Sequence, residues 1–200
     1  MKLGETLLEQ NFVYRLWQAP FASTKLAPVL AHNNLRQVRR VLDVGCGPGT
    51  NTHLFAHADY LGIDINPDYI AHARKTFQRS FVLADVTTYE MPPDQRYDFI
   101  LLNSFLHHIG DSAVRRILSH MRTLLTPDGY IHILDLVLPV RPSIALLVAR
   151  LDRGDYPRSL TEWRLLFAEN FDLVVFEPFP LKALGATLWN MVYCKGKAKP

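Results

Sequence analysis

The chain has 200 residues, 48% of them apolar, which suits one domain with a sizeable core and leaves little room for a separate substrate domain. Its formal net charge is +3, with basic residues dispersed apart from Arg39-Arg40 and the lysines of 195–199, so a nucleic-acid partner is not indicated. Only Cys46 and Cys194 are present, at no paired spacing, which argues against a disulfide framework and fits a reducing, cytoplasmic setting.

Leu3, Leu7, Leu8, Phe12 and Leu16 recur at helical spacing and predict an amphipathic helix over 3–17, while Glu5 and Glu9 interrupt the apolar core that a signal peptide needs. Ala19-Pro20 breaks this segment, and a second short helix is expected over 25–33. Val41 to Asp43 then reads as a buried strand running into Gly45, Gly47 and Gly49, a tight turn that lets a ligand approach the backbone closely. The spacing is G-x-G-x-G with Asp43 two positions ahead of the first glycine, unlike the G-x-G-x-x-G of a pyrophosphate loop. A carboxylate there suits a cationic amine, or it serves the loop itself by accepting its N–H groups. A helix over 50–58 is expected next, with its first N–H groups toward the ligand.

Tyr60 to Asp64 predicts a second strand, ending in an acid suited to the ribose hydroxyls of an adenosine. Asn66 is the expected cap of a helix that begins at Pro67 and runs to 77. A third strand, Phe81 to Ala84, leads to Asp85, which can meet an adenine amino group. Pro92-Pro93 keep 87–96 irregular, and Tyr97 to Asn103 is a nearly continuous apolar run, read as a strand buried on both faces. The alternation of strand and helix predicts a doubly wound α/β sheet with its ligand outside the carboxyl ends of the strands.

A helix over 111–125, capped by Asp111 or Ser112, puts Val114, Ile117, Leu118 and Met121 on one stripe. T-P-D-G at 126–129 is a turn, followed by a strand over 130–138 in which Asp135 is either a substrate contact or a solvated or capping acid. The longest apolar runs, such as 131–138, fall short of the ~20 residues of a membrane span. Pro139, Pro142, Gly154 and Pro157 bracket a short apolar helix over 143–151, an insertion over 139–158 that suits a substrate-side wall or an interface. Ser159-x-x-Glu162 is a capping box opening a helix over 160–169. Strands over 173–177 and 188–194 and a solvated lysine-rich tail end the chain.

D-V-G-C-G-P-G-T, then G-I-D-I-N, then A-D-V, then Y-D-F-I-L-L-N-S-F-L-H-H-I resembles the ordered motif set of class I S-adenosylmethionine-dependent methyltransferases, closely over 38–138. The resemblance implies a Rossmann-like methyltransferase fold: a mainly parallel seven-stranded sheet with a C-terminal antiparallel hairpin, in a single domain over 1–200 whose residues 1–34 form a helical lid. It implies S-adenosylmethionine as cofactor and S-adenosylhomocysteine as product. By the same resemblance Asp43, Gly45, Gly47 and Gly49 meet the methionine part, Asp64 the ribose, Ile65, Asp85 and Val86 the adenine, and Asn103 and Ser104 the region of the methyl group.

His107 and His108 would face the substrate, as general bases for a hydroxyl or as packing and cofactor-lining groups. Tyr14 and Trp17, with Phe12, are substrate-lid candidates or core aromatics. Base-amino methyltransferases of this fold carry N/D-P-P-Y/F, whereas Asn103 here is followed by Ser104-Phe105. The expected acceptor is therefore a small molecule, a hydroxyl of a hydrophobic metabolite of the natural-product kind. No metal is expected, since neither histidine has a carboxylate or cysteine at ligand spacing. A monomer or homodimer without membrane association completes the expectation. Two alternatives stand: a protein of this fold that binds the cofactor in a cyclase or regulatory role, and an NAD-dependent enzyme, which the glycine spacing and Asp43 disfavour.

Overall fold

The computed structural model describes residues 22–92, 94–139, 145, 156–183 and 185–200. The helix expected over 3–17, with Phe12, Tyr14 and Trp17, and most of the insertion expected over 139–158 lie outside the described residues. The chain divides into two compact units, 1–33 and 34–200, where the sequence suggested one domain led by a lid. In the first unit, α1 (Ala22–Lys25) precedes α2 (Ala27–Ala31), the latter within the region of the expected second helix, and Asn33 Nδ2 donates to the Val29 carbonyl at 2.8 Å.

The second unit is built on seven strands: β1 (Arg40–Val44), β2 (Asp59–Asp64), β3 (Ser80–Leu83), β4 (Tyr97–Asn103), β5 (Leu125–Leu136), β6 (Phe171–Ala183) and β7 (Ala186–Ala198). They form one sheet in the order β3-β2-β1-β4-β5-β7-β6. The first five strands run parallel, and β7 is antiparallel to both β5 and β6. The chain therefore winds outward from β1 in one direction and returns at β4 in the other. The crevice between β1 and β4, at their carboxyl ends, is the switch point where such sheets bind ligands.

One face of the sheet carries Leu42, Val44, Ile63, Ile100, Leu102, Ile131 and Ile133. Helix α4 (Asp111–Leu124) packs there through Val114, Ile117, Leu118, Met121 and Leu124, and α5 (Leu160–Ala168) through Trp163, Leu166 and Phe167. The opposite face is a row of aromatic rings: Phe81, Tyr60, Phe55, Phe99, His132 and Tyr193 follow one another, the closest pair being Phe99 and His132 at 3.8 Å between centroids.

Helix α3 (Pro67–Thr76) starts as its sequence dictates, with the Asn66 side chain accepting from the N–H groups of Asp68 and Tyr69. The Ser159–Glu162 capping box opens α5, both reciprocal bonds being present. Four expectations are corrected. The stretch 50–58 holds a short 3₁₀ turn, Thr52–Phe55, in place of an α-helix, because Asn51 and Phe55 are drawn inward onto Asp43, Tyr60 and Phe99. The cap of α4 is Gly110, without a side-chain bond; the Asp111 carboxylate instead meets Arg158. The T-P-D-G stretch, expected as a turn, belongs to β5, where the register shifts between Leu125 opposite Tyr97 and Tyr130 opposite Phe99. The last strands are longer than expected, and the lysine-rich end belongs to β7, with the carbonyls of Lys199 and Pro200 held by Arg122.

Candidate functional site

The site begins where β1 ends. Gly45 and Gly47 stand at φ of 69° and 55°, a region that L side chains rarely enter. A Cβ on Gly45 would lie 2.8 Å from the Phe105 ring, whereas one on Gly47 would project into open space. The loop hangs from β2, since the N–H groups of Gly45 and Cys46 both donate to the Ile63 carbonyl. It is also tied to Asp64 at the end of β2: Oδ2 accepts from Gly47 N at 2.8 Å, and Oδ1 accepts from Asn66 N at 2.8 Å. One carboxylate thus fixes the glycine loop and the entry to α3.

A cavity of about 340 Å³ opens beside this loop, walled by Gly45, Asp64, Ile65, Asp85, Phe105 and His108 among others. Ile65, an apolar side chain in this wall, is 65% exposed. Asp85 is oriented by Thr87, whose N–H and hydroxyl both donate to Oδ1 at 2.8 and 2.7 Å. Val86 lies in the same wall. Of the expected cofactor residues, Gly45, Asp64, Ile65, Asp85 and Val86 meet around this cavity; Gly47, Gly49, Asn103, Ser104 and Asp43 are outside its wall. Ser104 holds a positive φ of 59° and donates its hydroxyl to Asn103 Oδ1 at 3.0 Å.

Asp43 is fully buried behind the loop. Its Oδ2 accepts from Tyr60 Oη at 2.7 Å and from Asn51 Nδ2 at 3.3 Å, while Oδ1 has no partner among the described residues. Burial pushes its carboxyl up to about 6, against the opposing pull of those two donors. The Cys46 thiol is pushed up chiefly by its own burial and then by Asp43, which favours its protonated form. The orphaned carboxylate oxygen and the open space over Gly47 fit a ligand that brings a cationic or hydrogen-bonding group and a close-lying backbone contact.

The two histidines part company. His108 is exposed and lines the cavity, whereas His107 is 3% exposed and faces inward, its Nδ1 2.6 Å from Asp135 Oδ1. Asp135, a candidate substrate contact in the sequence, is fully buried; its Oδ2 accepts from Leu106 N and its Oδ1 also from Leu136 N. These bonds make it an internal fastener and not a wall of the cavity. Tyr14 and Trp17 lie outside the described residues. Phe105 and Ile109, which the sequence reading passed over, line the cavity, as do Ile63 and Ala84. The available signal was their place next to the Asn103-Ser104 and strand-end motifs. Among the described residues no group of three or more His, Cys, Asp or Glu could hold a metal ion, and no helix is long and apolar enough to cross a membrane.

Residues 41–129 match the model of a family described as a methyltransferase domain. An S-adenosylmethionine-dependent methyltransferase from Methanosarcina mazei superposes with a TM-score of 0.70 at 19% identity, covering 86% of this chain and 98% of that one. The N-methyltransferase NodS of Bradyrhizobium japonicum WM9, solved with S-adenosylhomocysteine, gives 0.66 at 15% identity over 89% and 85%. At these identities the likeness speaks for the fold. The family match spans 89 of the 200 residues, so the chain is similar to methyltransferase domains over just under half of its length. The trans-aconitate 2-methyltransferase of Escherichia fergusonii is 35% identical over 117 residues, 54% of this chain and 45% of that protein. The chain thus spans less than half the length of this curated relative.

Proposed function

We propose that this protein binds S-adenosylmethionine in the cavity beyond β1, β2 and β3 and transfers its methyl group to an oxygen of a small molecule. The observation that carries the reading is the convergence on one cavity of Asp64, Asp85 and the exposed Ile65, beside a glycine loop backed by Asp43. The backbone of Gly45, Gly47 and Gly49 and the partnerless oxygen of Asp43 would take the methionine part. Asp64 uses one lone pair of each oxygen on the protein and keeps the others for ribose hydroxyls. Ile65 would pack on the adenine, with Asp85 and Val86 at its amino edge and Asn103 and Ser104 toward the methyl group. When bound, the cofactor supplies an electrophilic methyl; the chain's part is to align the acceptor and exclude water.

The acceptor we favour is a hydroxyl of a hydrophobic metabolite, and the base we favour is His108, a reading supported by its place on the cavity wall, where His107 is absent. A carboxylate acceptor is the second reading, favoured by the 35% identical relative whose name specifies trans-aconitate, and it would need no base. The same proposal puts the protein in a reducing cytoplasm as a monomer or homodimer. Calorimetric titration with S-adenosylmethionine, S-adenosylhomocysteine and NAD tests the cofactor: binding of the first two without NAD supports the reading, and NAD binding alone sinks it. Acceptor-dependent formation of S-adenosylhomocysteine separates methyl transfer from a regulatory or cyclase role. For His108→Ala, a loss of about a hundredfold in kcat marks a hydroxyl acceptor, whereas little change marks a carboxylate.

A further inference from the structure

The turn that forms one wall of the cavity, Leu106–His108 with Phe105 and Ile109 at its ends, is only three residues of 3₁₀ helix. Such a turn closes few bonds of its own, and Gly110 beyond it brings no side-chain cap. Its outward carbonyls are taken up from more than forty residues along the chain. Arg158 Nη1 donates to the Leu106 carbonyl at 3.1 Å, Arg158 Nη2 to the Ile109 carbonyl at 2.6 Å, and Tyr156 N to the His107 carbonyl at 3.0 Å.

Arg158 is itself 4% exposed and fully engaged. Nε donates to Asp111 Oδ1 at 2.8 Å, Nη2 lies 2.7 Å from the same oxygen, and Nη1 also reaches the Tyr156 carbonyl at 3.2 Å. The guanidinium lies over the Trp163 ring, 4.7 Å from its centroid. Its backbone is anchored where β5 runs out, through Leu138 N donating to its carbonyl at 2.8 Å and a parallel bridge to Val137. A planar fork of five donors can hold two separated carbonyls and a carboxylate at once, which an ammonium cannot.

We propose that Arg158 is a positioning residue for the cavity: by holding the carbonyls of Leu106 and Ile109 it sets Phe105, His108 and Ile109 against the cofactor. The inference rests on the methyltransferase reading of that cavity. It acts through backbone placement, so its loss moves ligand affinity and local order beyond any change in global stability.

The test is Arg158→Lys, which keeps the charge opposite Asp111 and over Trp163 but not the fork. In folded protein, S-adenosylhomocysteine should bind about tenfold more weakly, and the amides of 106–109 should exchange hydrogen about tenfold faster while those of Ile131 and Val192 in the sheet stay at the wild-type rate. Wild-type affinity with unchanged exchange at the turn would overturn the proposal, as would equal acceleration throughout the sheet, which marks a merely global role. Should the lysine variant fail to fold, Asp111→Asn, which removes one anchor of the guanidinium at an exposed position, is expected to act in the same direction by about threefold, and no effect there overturns it. A wild-type protein that binds no S-adenosylhomocysteine counts against the methyltransferase reading instead, and the exchange rates then decide the role of Arg158.

Discussion

Gly45 and Gly47 share a left-handed backbone, yet a methyl group meets different surroundings at each. Left-handed backbone costs an L residue about 1–2 kcal/mol, and Gly45→Ala adds a 2.8 Å approach to Phe105 that Gly47→Ala lacks. Gly45→Ala should therefore unfold at the lower temperature of the two and also weaken S-adenosylhomocysteine binding by displacing Phe105; parallel thermal scans check the order. Asp64→Ala releases Gly47 N and Asn66 N together, so binding should fall at least tenfold by titration, with wild-type affinity ruling out its assigned role. Acid sensitivity belongs to His132, stacked on Phe99 and bonded through Nδ1 to Tyr193 at 3.0 Å. Burial, aided by the charge of Lys195, holds its pKa well below the ordinary 6.5. The unfolded chain takes up that proton near 6.5 and the folded chain refuses it, so this stability is complete above about 6.5 and declines as pH falls below it. Asp43 runs the other way: with its folded value raised to about 6 from 3.8, its contribution is present below 3.8 and lost as pH rises through 6. His132→Phe, which keeps the stack, should remove the acid-side loss; urea midpoints at pH 7 and 5 that fall equally in variant and wild type would contradict this.

At the scale of elements, the capping box is the simplest lever. Ser159 Oγ accepts from Glu162 N and Glu162 Oε2 accepts from Ser159 N, so Ser159→Ala should cost about 1 kcal/mol, read as a lower urea midpoint. Among the described residues strand β6 lies at the edge of the sheet and pairs only with β7, and it exposes Val174. Pro178 and Pro180 sit two residues apart within it, opposite Val192 and Asn190. Proline has no N–H and is tolerated in a paired strand only where that group would face away from the partner, so these two residues blunt the free edge. Pro178→Thr with Pro180→Thr should leave the fold intact and increase self-association, measured by light scattering against concentration. The same prolines made the sequence read the strand as ending at Glu177, because a run interrupted by proline looks like a boundary until the edge position is known.

At the scale of the whole molecule, binding and folding are linked. S-adenosylhomocysteine at a hundred times its Kd should add about 2.7 kcal/mol, or roughly 5–10 °C in Tm for a chain of this size, with no shift from NAD. A shift with NAD alone would reverse the assignment. The seven-stranded order, with its antiparallel final pair, agrees with the architecture implied by the glycine loop and its companion motifs. Features that depend on neighbours along the chain were legible in the residues: the apolar run of β4, the Asn66 cap and Pro67 start of α3, the Ser159 capping box, and acids at successive strand ends. Features that depend on partners far apart in sequence emerged with the fold. Asn51 and Phe55 leave helical geometry because Asp43, Tyr60 and Phe99 bind them from other strands. Asp135 turns inward because His107 and Leu106 N supply its bonds, and Arg158 reaches the cavity turn from beyond β5. Local spacing encodes propensity and motif, while burial and the pairing of polar groups are set by packing, and packing is a property of the folded chain.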